Sequence, residues 1–135
     1  MVIVVGFIRS REGRAALDRA VAEARLRNAR LLVVHSSKGG HGEDVEEVVA
    51  YRDELEEIEQ RLTDEGLDHE VKQFIRGNTP TEDLLEVAKQ TGAEMIVIGI
   101  RRRSPVGKMI LGSNAQEILL DADCPVLAVK AAPED

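Results

Sequence analysis

Hydrophobic positions change period repeatedly along the chain, and the changes mark alternating strands and helices. Residues 2–8 (VIVVGFI) form a short β-branched apolar run, which predicts a buried strand. Over 12–28, Ala15, Ala16, Ala20, Val21, Ala24 and Leu26 recur at near-helical spacing. LLVVH at 31–35 reads as a second buried strand, followed by a stretch from Ser36 to Gly42 that contains three glycines. From Glu43 to about Glu65 the apolar residues Val45, Val48, Leu55, Ile58 and Leu62 define one helix face, while Glu46, Glu47, Asp53, Glu54, Glu57 and Arg61 define a solvated one. Gly66 ends that helix. HEVKQFI at 69–75 alternates polar and apolar residues, as an edge strand does. After a Gly77–Asn78 turn, Thr79, Pro80 and Glu82 form a helix start with Thr79 as N-cap, and the helix stops at Gly92. EMIVIG at 94–99 is the most apolar run and belongs inside the sheet. Asn114 to about Ala122 reads as a last helix and PVLAVK from Pro125 as a last strand.

Five strands alternating with four helices predict an α/β fold. Crossover connections of this length make the sheet parallel and doubly wound, with helices on both faces, and the commonest strand order for such a sheet is 3-2-1-4-5. A length of 135 residues with 43% hydrophobic content fits a single domain spanning 1–135. Aromatic residues make up only 2%, so the core is built from Val, Leu, Ile and Ala. The formal net charge of -7 argues against nucleic acid or an anionic membrane as a partner. No signal peptide or membrane-length apolar run is present, and the lone Cys124 offers no disulfide framework; these features fit the reducing cytoplasm.

In this fold ligands sit beyond the carboxyl ends of the strands where the strand order reverses, between the first and fourth strands. That places Phe7 to Ser10 opposite a glycine- and arginine-bearing segment from Gly99 to Ser113, which includes Arg101, Arg102, Arg103, Ser104, Gly107, Lys108 and Gly112. The segment leaves a buried strand and ends at a helix N-terminus, where free amides and the helix dipole favour a phosphate.

These residues make the chain recognisable. It resembles the universal stress protein family, whose signature is Gly, two residues, Gly, nine residues, Gly and Ser or Thr; Gly99, Gly112 and Ser113 match it, and Arg102 replaces the second glycine. Ala15-Ala16-Leu17, Gly77, the run Gly92 to Gly99 and Asp123-Cys124-Pro125-Val126-Leu127 support the resemblance along nearly the whole chain. It implies the adenine nucleotide alpha hydrolase-like fold and a cytoplasmic, homodimeric, stress-linked regulatory protein. Many members hold ATP between the first and fourth strands, with Mg²⁺ carried by the nucleotide. Carried over residue by residue, the nucleotide contacts fall on Phe7, Ile8, Ser10 and Val34 on one side and on Gly99, Arg101, Arg102, Arg103, Gly112, Ser113 and Asn114 on the other. Ile8 stands where the family places a nucleoside-contacting Asp, and it cannot accept a hydrogen bond.

Two readings of these departures stay open. The arginines can supply charge-assisted bonds to a phosphate-bearing ligand, or Ile8 and Arg102 can fill the crevice, leaving a dimeric interaction module that acts on a protein partner. Plainer roles stand beside both: Ser113 with Gln116 can be a capping box, Gly112 a chain turn, and the arginine triplet a solvated loop. His35, His41 and His69 show no metal-ligand spacing, so no protein-bound metal is expected, and Cys124 reads as an inert core thiol. No serine has an evident His and carboxylate partner, and the acidic residues fall on a helix face away from the crevice, so catalysis is not expected. A slow ATP hydrolase or phosphotransfer enzyme is the third class. The last strand, Val126 to Lys130, is the expected homodimer edge.

Overall fold

Strands whose two faces are both apolar need helices on both sides, and the chain supplies them in alternation. A computed structural model describes residues 1–37, 45–75, 79–101 and 112–132. Among these, β1 (Val2–Gly6), α1 (Arg11–Arg27), β2 (Arg30–Ser37), α2 (Val45–Asp64), β3 (His69–Ile75), α3 (Pro80–Thr91), β4 (Met95–Ile100), α4 (Ser113–Asp121) and β5 (Val126–Lys130) follow in order. The strands form one parallel sheet in the order β3-β2-β1-β4-β5, as expected.

Side-chain alternation divides the core into two layers. Ile3, Val5 and Phe7 with Leu31 and Val33 meet Ala16, Leu17 and Ala20 of α1 and Leu55, Ile58 and Leu62 of α2. On the opposite face Val4, Leu32, Val34, Ile96 and Ile98 meet Leu84, Val87 and Ala88 of α3 and Ile118 of α4. The same parity decides where polar residues at the strand ends point. His35 belongs to the α2 face and Ser36 to the α3 face.

The helix starts follow local chemistry. Ser10 Oγ accepts from Gly13 N at 3.0 Å and caps α1. Thr79 Oγ1 accepts from Glu82 N and caps α3, with Pro80 in the first helical position, as its sequence predicts. The start of α4 differs from expectation: Gln116 N bonds to Gly112 O, so the helix begins one residue early and Gly112 is the N-cap. Ser113 therefore lies inside the helix and no capping box forms there. The glycines of 38–44, His41, the Gly77–Asn78 turn, and Arg102, Arg103, Ser104, Gly107 and Lys108 lie outside the described residues.

Candidate functional site

The carboxyl ends of β1, β2 and β4 converge on a crevice of about 120 Å³, floored by Gly6, Phe7, Val34 and Gly99 and walled by Ser36 and Thr81. It adjoins a second hollow of about 380 Å³ that shares Ile8, His35, Ser36, Pro80 and Asn114 and extends to Tyr51 and Gln73. The crevice lies beside β1, which pairs with β2 on one side and β4 on the other. This is the topological switch point.

A close backbone approach builds the floor. A Cβ on Gly99 would stand 2.2 Å from Glu12 O, and one on Gly13 would stand 1.9 Å from Ile8 O. Glycine at both positions lets the first turn of α1 press against the end of β4 and the β1–α1 loop. Gly99 is thus explained by the packing of the protein itself. At Gly112 the φ of -62° suits any residue, and no described residue lies within 4 Å of a Cβ there. Its backbone is not left-handed, and the segment that leads into it, 102–111, lies outside the described residues.

The β1–α1 loop is clamped by α2. Arg14 Nε and Nη2 bind Glu54 Oε2 and Oε1 at 2.9 and 3.0 Å, and Arg9 Nε binds Oε1 at 3.1 Å. The hydrogen bond from Arg14, with a further one from Arg9, holds the Glu54 carboxyl below the usual carboxylate range despite its partial burial, and raises Arg14 in turn. One turn earlier on α2, Tyr51 Oη accepts from Arg9 N at 3.0 Å. Its ring stacks on His35 with centroids 3.8 Å apart, and the Arg9 guanidinium carbon lies over the ring, 5.8 Å from its centroid. His35 is buried within β2 and not at its end; its Nδ1 donates to Phe7 O at 3.1 Å, since a carbonyl only accepts.

On the α3 face two hydroxyls are tied to carboxylates. Ser36 Oγ donates to Asp83 Oδ2, and Asp83 is 2% exposed. Thr81 Oγ1 donates to Glu117 Oε2 at 2.6 Å and so joins α3 to α4. This corrects the expectation that acidic residues keep away from the crevice. Asp83 was legible as a carboxylate four residues before Val87 in an otherwise apolar helix stripe. Its partner was not, because the pair joins residues 47 apart.

The structure gathers Phe7, Ile8, Val34, Gly99 and Asn114 around the crevice. Ile8 is 45% exposed and forms wall between the two hollows. Ser10 is occupied in capping α1. Gly112 and Ser113 are exposed at the start of α4, and no side chain among the described residues caps that helix. Arg101 is exposed, with Nε 3.9 Å from Glu12 Oε1, and Arg102 and Arg103 are outside the described residues. Cys124 is half-buried, and burial raises its thiol above the usual value, which agrees with an unreactive role. No group of three or more potential metal ligands occurs among the described residues. No helix there is long and apolar enough to cross a membrane.

Known proteins share this arrangement. The profile of the universal stress protein family matches residues 1–130. A universal stress protein of Mycolicibacterium smegmatis is 42% identical over 129 residues, covering 96% of this chain and 97% of that one. The structure of a universal stress protein from Archaeoglobus fulgidus superposes with a TM-score of 0.83 at 37% identity, covering 96% of this chain and 98% of the other. Another from the same organism, solved in complex with dAMP, gives 0.75 at 31% identity with the same coverage. With its sequence and its fold both in agreement, the chain belongs to the universal stress protein family.

Proposed function

We propose that the chain is a nucleotide-binding regulatory module that holds an adenine nucleotide between β1 and β4 and passes the bound state to a protein partner. The observation that carries this reading is the start of α4. Gly112 is an exposed N-cap that carries no side chain, so among the described residues no side chain caps the first amides of α4, a helix that borders the crevice through Asn114, Ala115 and Ile118. Such amides and their dipole suit a phosphate, and a missing Cβ lets it approach closely. The adjoining hollow of about 380 Å³ lies in the size range of small-molecule sites. The 31% identical relative solved with dAMP supports the same ligand class.

ATP is the family ligand implied by the sequence, and its Mg²⁺ would travel with the phosphates. A binding module suits the site better than an enzyme: Ser10 is engaged in capping α1, Ser36 in a bond to Asp83, and Ser113 lies exposed on α4. Denaturing the purified protein and identifying any released nucleotide, then titrating with Mg·ATP, ADP and AMP in a calorimeter, tests the reading. Released nucleotide or saturable heat supports it. Neither would favour the interaction module, with the crevice closed by Ile8 and the arginine segment.

We also propose a homodimer through β5. That strand pairs with β4 on one edge only among the described strands, and Ala128 and Lys130 are exposed along it. Sedimentation at micromolar concentration should give twice the 14.8 kDa chain mass; a monomer would contradict it.

A further inference from the structure

We propose that His69 and Glu59 form a two-ligand site for a divalent transition-metal ion of the zinc class, which would tie α2 to the edge strand β3. The site lies at the amino end of β3, at the opposite end of the sheet from the crevice, on a hollow of about 490 Å³ that Arg52, Glu56, Glu59 and His69 help to line. The His69 side chain is 10% exposed, and its Nδ1 stands 2.7 Å from Leu67 O. A carbonyl only accepts, so Nδ1 carries a proton and donates it. In the neutral ring the lone pair is then on Nε2, free to bind a metal. Metal-binding histidines are held in this way, by a bond from the other ring nitrogen to a carbonyl or carboxylate. Leu67 is itself fixed: its N–H donates to Leu62 O at 3.1 Å, and its side chain packs on the core.

Nε2 faces a carboxylate and yet makes no hydrogen bond. Glu59 Oε2 is 3.0 Å away, while Nε2 is buried and without a hydrogen-bond partner among the described residues. The distance suits a hydrogen bond, so the fault is in the direction: the oxygen lies off the line along which an N–H on Nε2 would point. A metal ion joins two donors at an angle instead. Donors each about 2.0–2.1 Å from a tetrahedral zinc stand roughly 3.3 Å apart. The spacing found here is close to that, and Glu59, 52% exposed, has room to supply the difference. Glu56, one turn earlier on α2, adds negative charge to the same hollow, whereas Arg52 lies 3.8 Å from Asp53 and Glu70 is engaged by Arg30 at 3.5 Å. An imidazole with a carboxylate suits zinc and its first-row neighbours, and not Mg²⁺ or Ca²⁺, which take oxygen ligands. Two protein donors leave the remaining positions to water. They come from a helix and a strand, so no ligand spacing marks them in the sequence.

Calorimetry on the chelator-washed full chain at neutral pH tests the site, with zinc chloride as the probe and magnesium chloride in its place as the control. The expected result is one saturable zinc site per chain and no saturable heat from magnesium. Glu59→Gln and His69→Gln should each weaken zinc binding at least about tenfold, the loss that follows even when a group behind a metal ligand is removed. Zinc should also move the ring resonances of His69 in an NMR spectrum and leave those of His35 in place. Absence of saturable zinc binding would overturn the proposal. So would zinc binding of wild-type strength in Glu59→Gln or His69→Gln, or ring shifts at His35 or His41 in place of His69. Glu59 is exposed, so its substitution does not threaten folding. The ring resonances are read on the wild-type protein, so the proposal can fail even where a change at buried His69 prevents folding.

Discussion

Two signature glycines look alike in sequence and have opposite physical reasons. Gly99 has backbone 2.2 Å from where its Cβ would be, so Gly99→Ala must push the first turn of α1 away from β4. The expected cost is about 3 kcal/mol, the upper range for overpacking, read as a lower midpoint in urea denaturation. An unchanged midpoint would show that the backbone approach carries no weight. Gly112 has an ordinary φ of -62°, and no described residue lies within 4 Å of its Cβ position. Gly112→Ala should cost no more than about 1 kcal/mol of stability, since Ala is a poorer N-cap than Gly, and weaken nucleotide binding by about tenfold, measured by calorimetry. Loss of stability without loss of affinity would return Gly112 to a purely structural role. Sequence spacing picks out both residues but cannot separate them, because the atoms that crowd Gly99 come from Glu12, far back in the chain.

Elements hold the crevice in shape, and the α2 clamp is where pH enters. Glu54 receives two bonds from Arg14 and one from Arg9, which lower its folded pKa below the unfolded value of about 4.3. A carboxyl lowered on folding adds stability that is complete above its unfolded pKa and is lost as pH falls through the folded one. Glu54→Gln should therefore destabilise the protein by about 1 kcal/mol at pH 7, and the difference from wild type should shrink below about pH 4, followed by denaturation at several pH values. A difference constant down to pH 2 would mean that the charge on Glu54 is not what binds the loop. The clamp was only half legible. The periodicity of α2 and its acidic face follow from the sequence, yet Glu54 reads there as one more solvated carboxylate. Only the packing of α2 over the β1–α1 loop gives it two arginines, and brings Tyr51 against both His35 and Arg9.

At the scale of the molecule, strand order accounts for the location of the crevice. β1 lies between β2 and β4, so the chain leaves its carboxyl end toward α1 while the adjacent connections pass to opposite faces of the sheet, opening a gap above Phe7. This much was readable from the alternation of short apolar runs with amphipathic helices, because crossover length and handedness leave few topologies. What the gap is lined with was less readable. Ser36, Asp83, Thr81 and Glu117 come from three different elements, and their pairing between β2 and α3 and between α3 and α4 exists only once the layers are packed. The direct test of the whole account is an amide-resolved NMR titration with AMP. The account predicts saturable shifts concentrated at Phe7, Ile8, Ser36, Gly99 and Gly112 to Asn114, at the carboxyl ends of β1, β2 and β4 and the start of α4. No shifts, or shifts confined to the far edge of the sheet around His69 and Glu70, would contradict it.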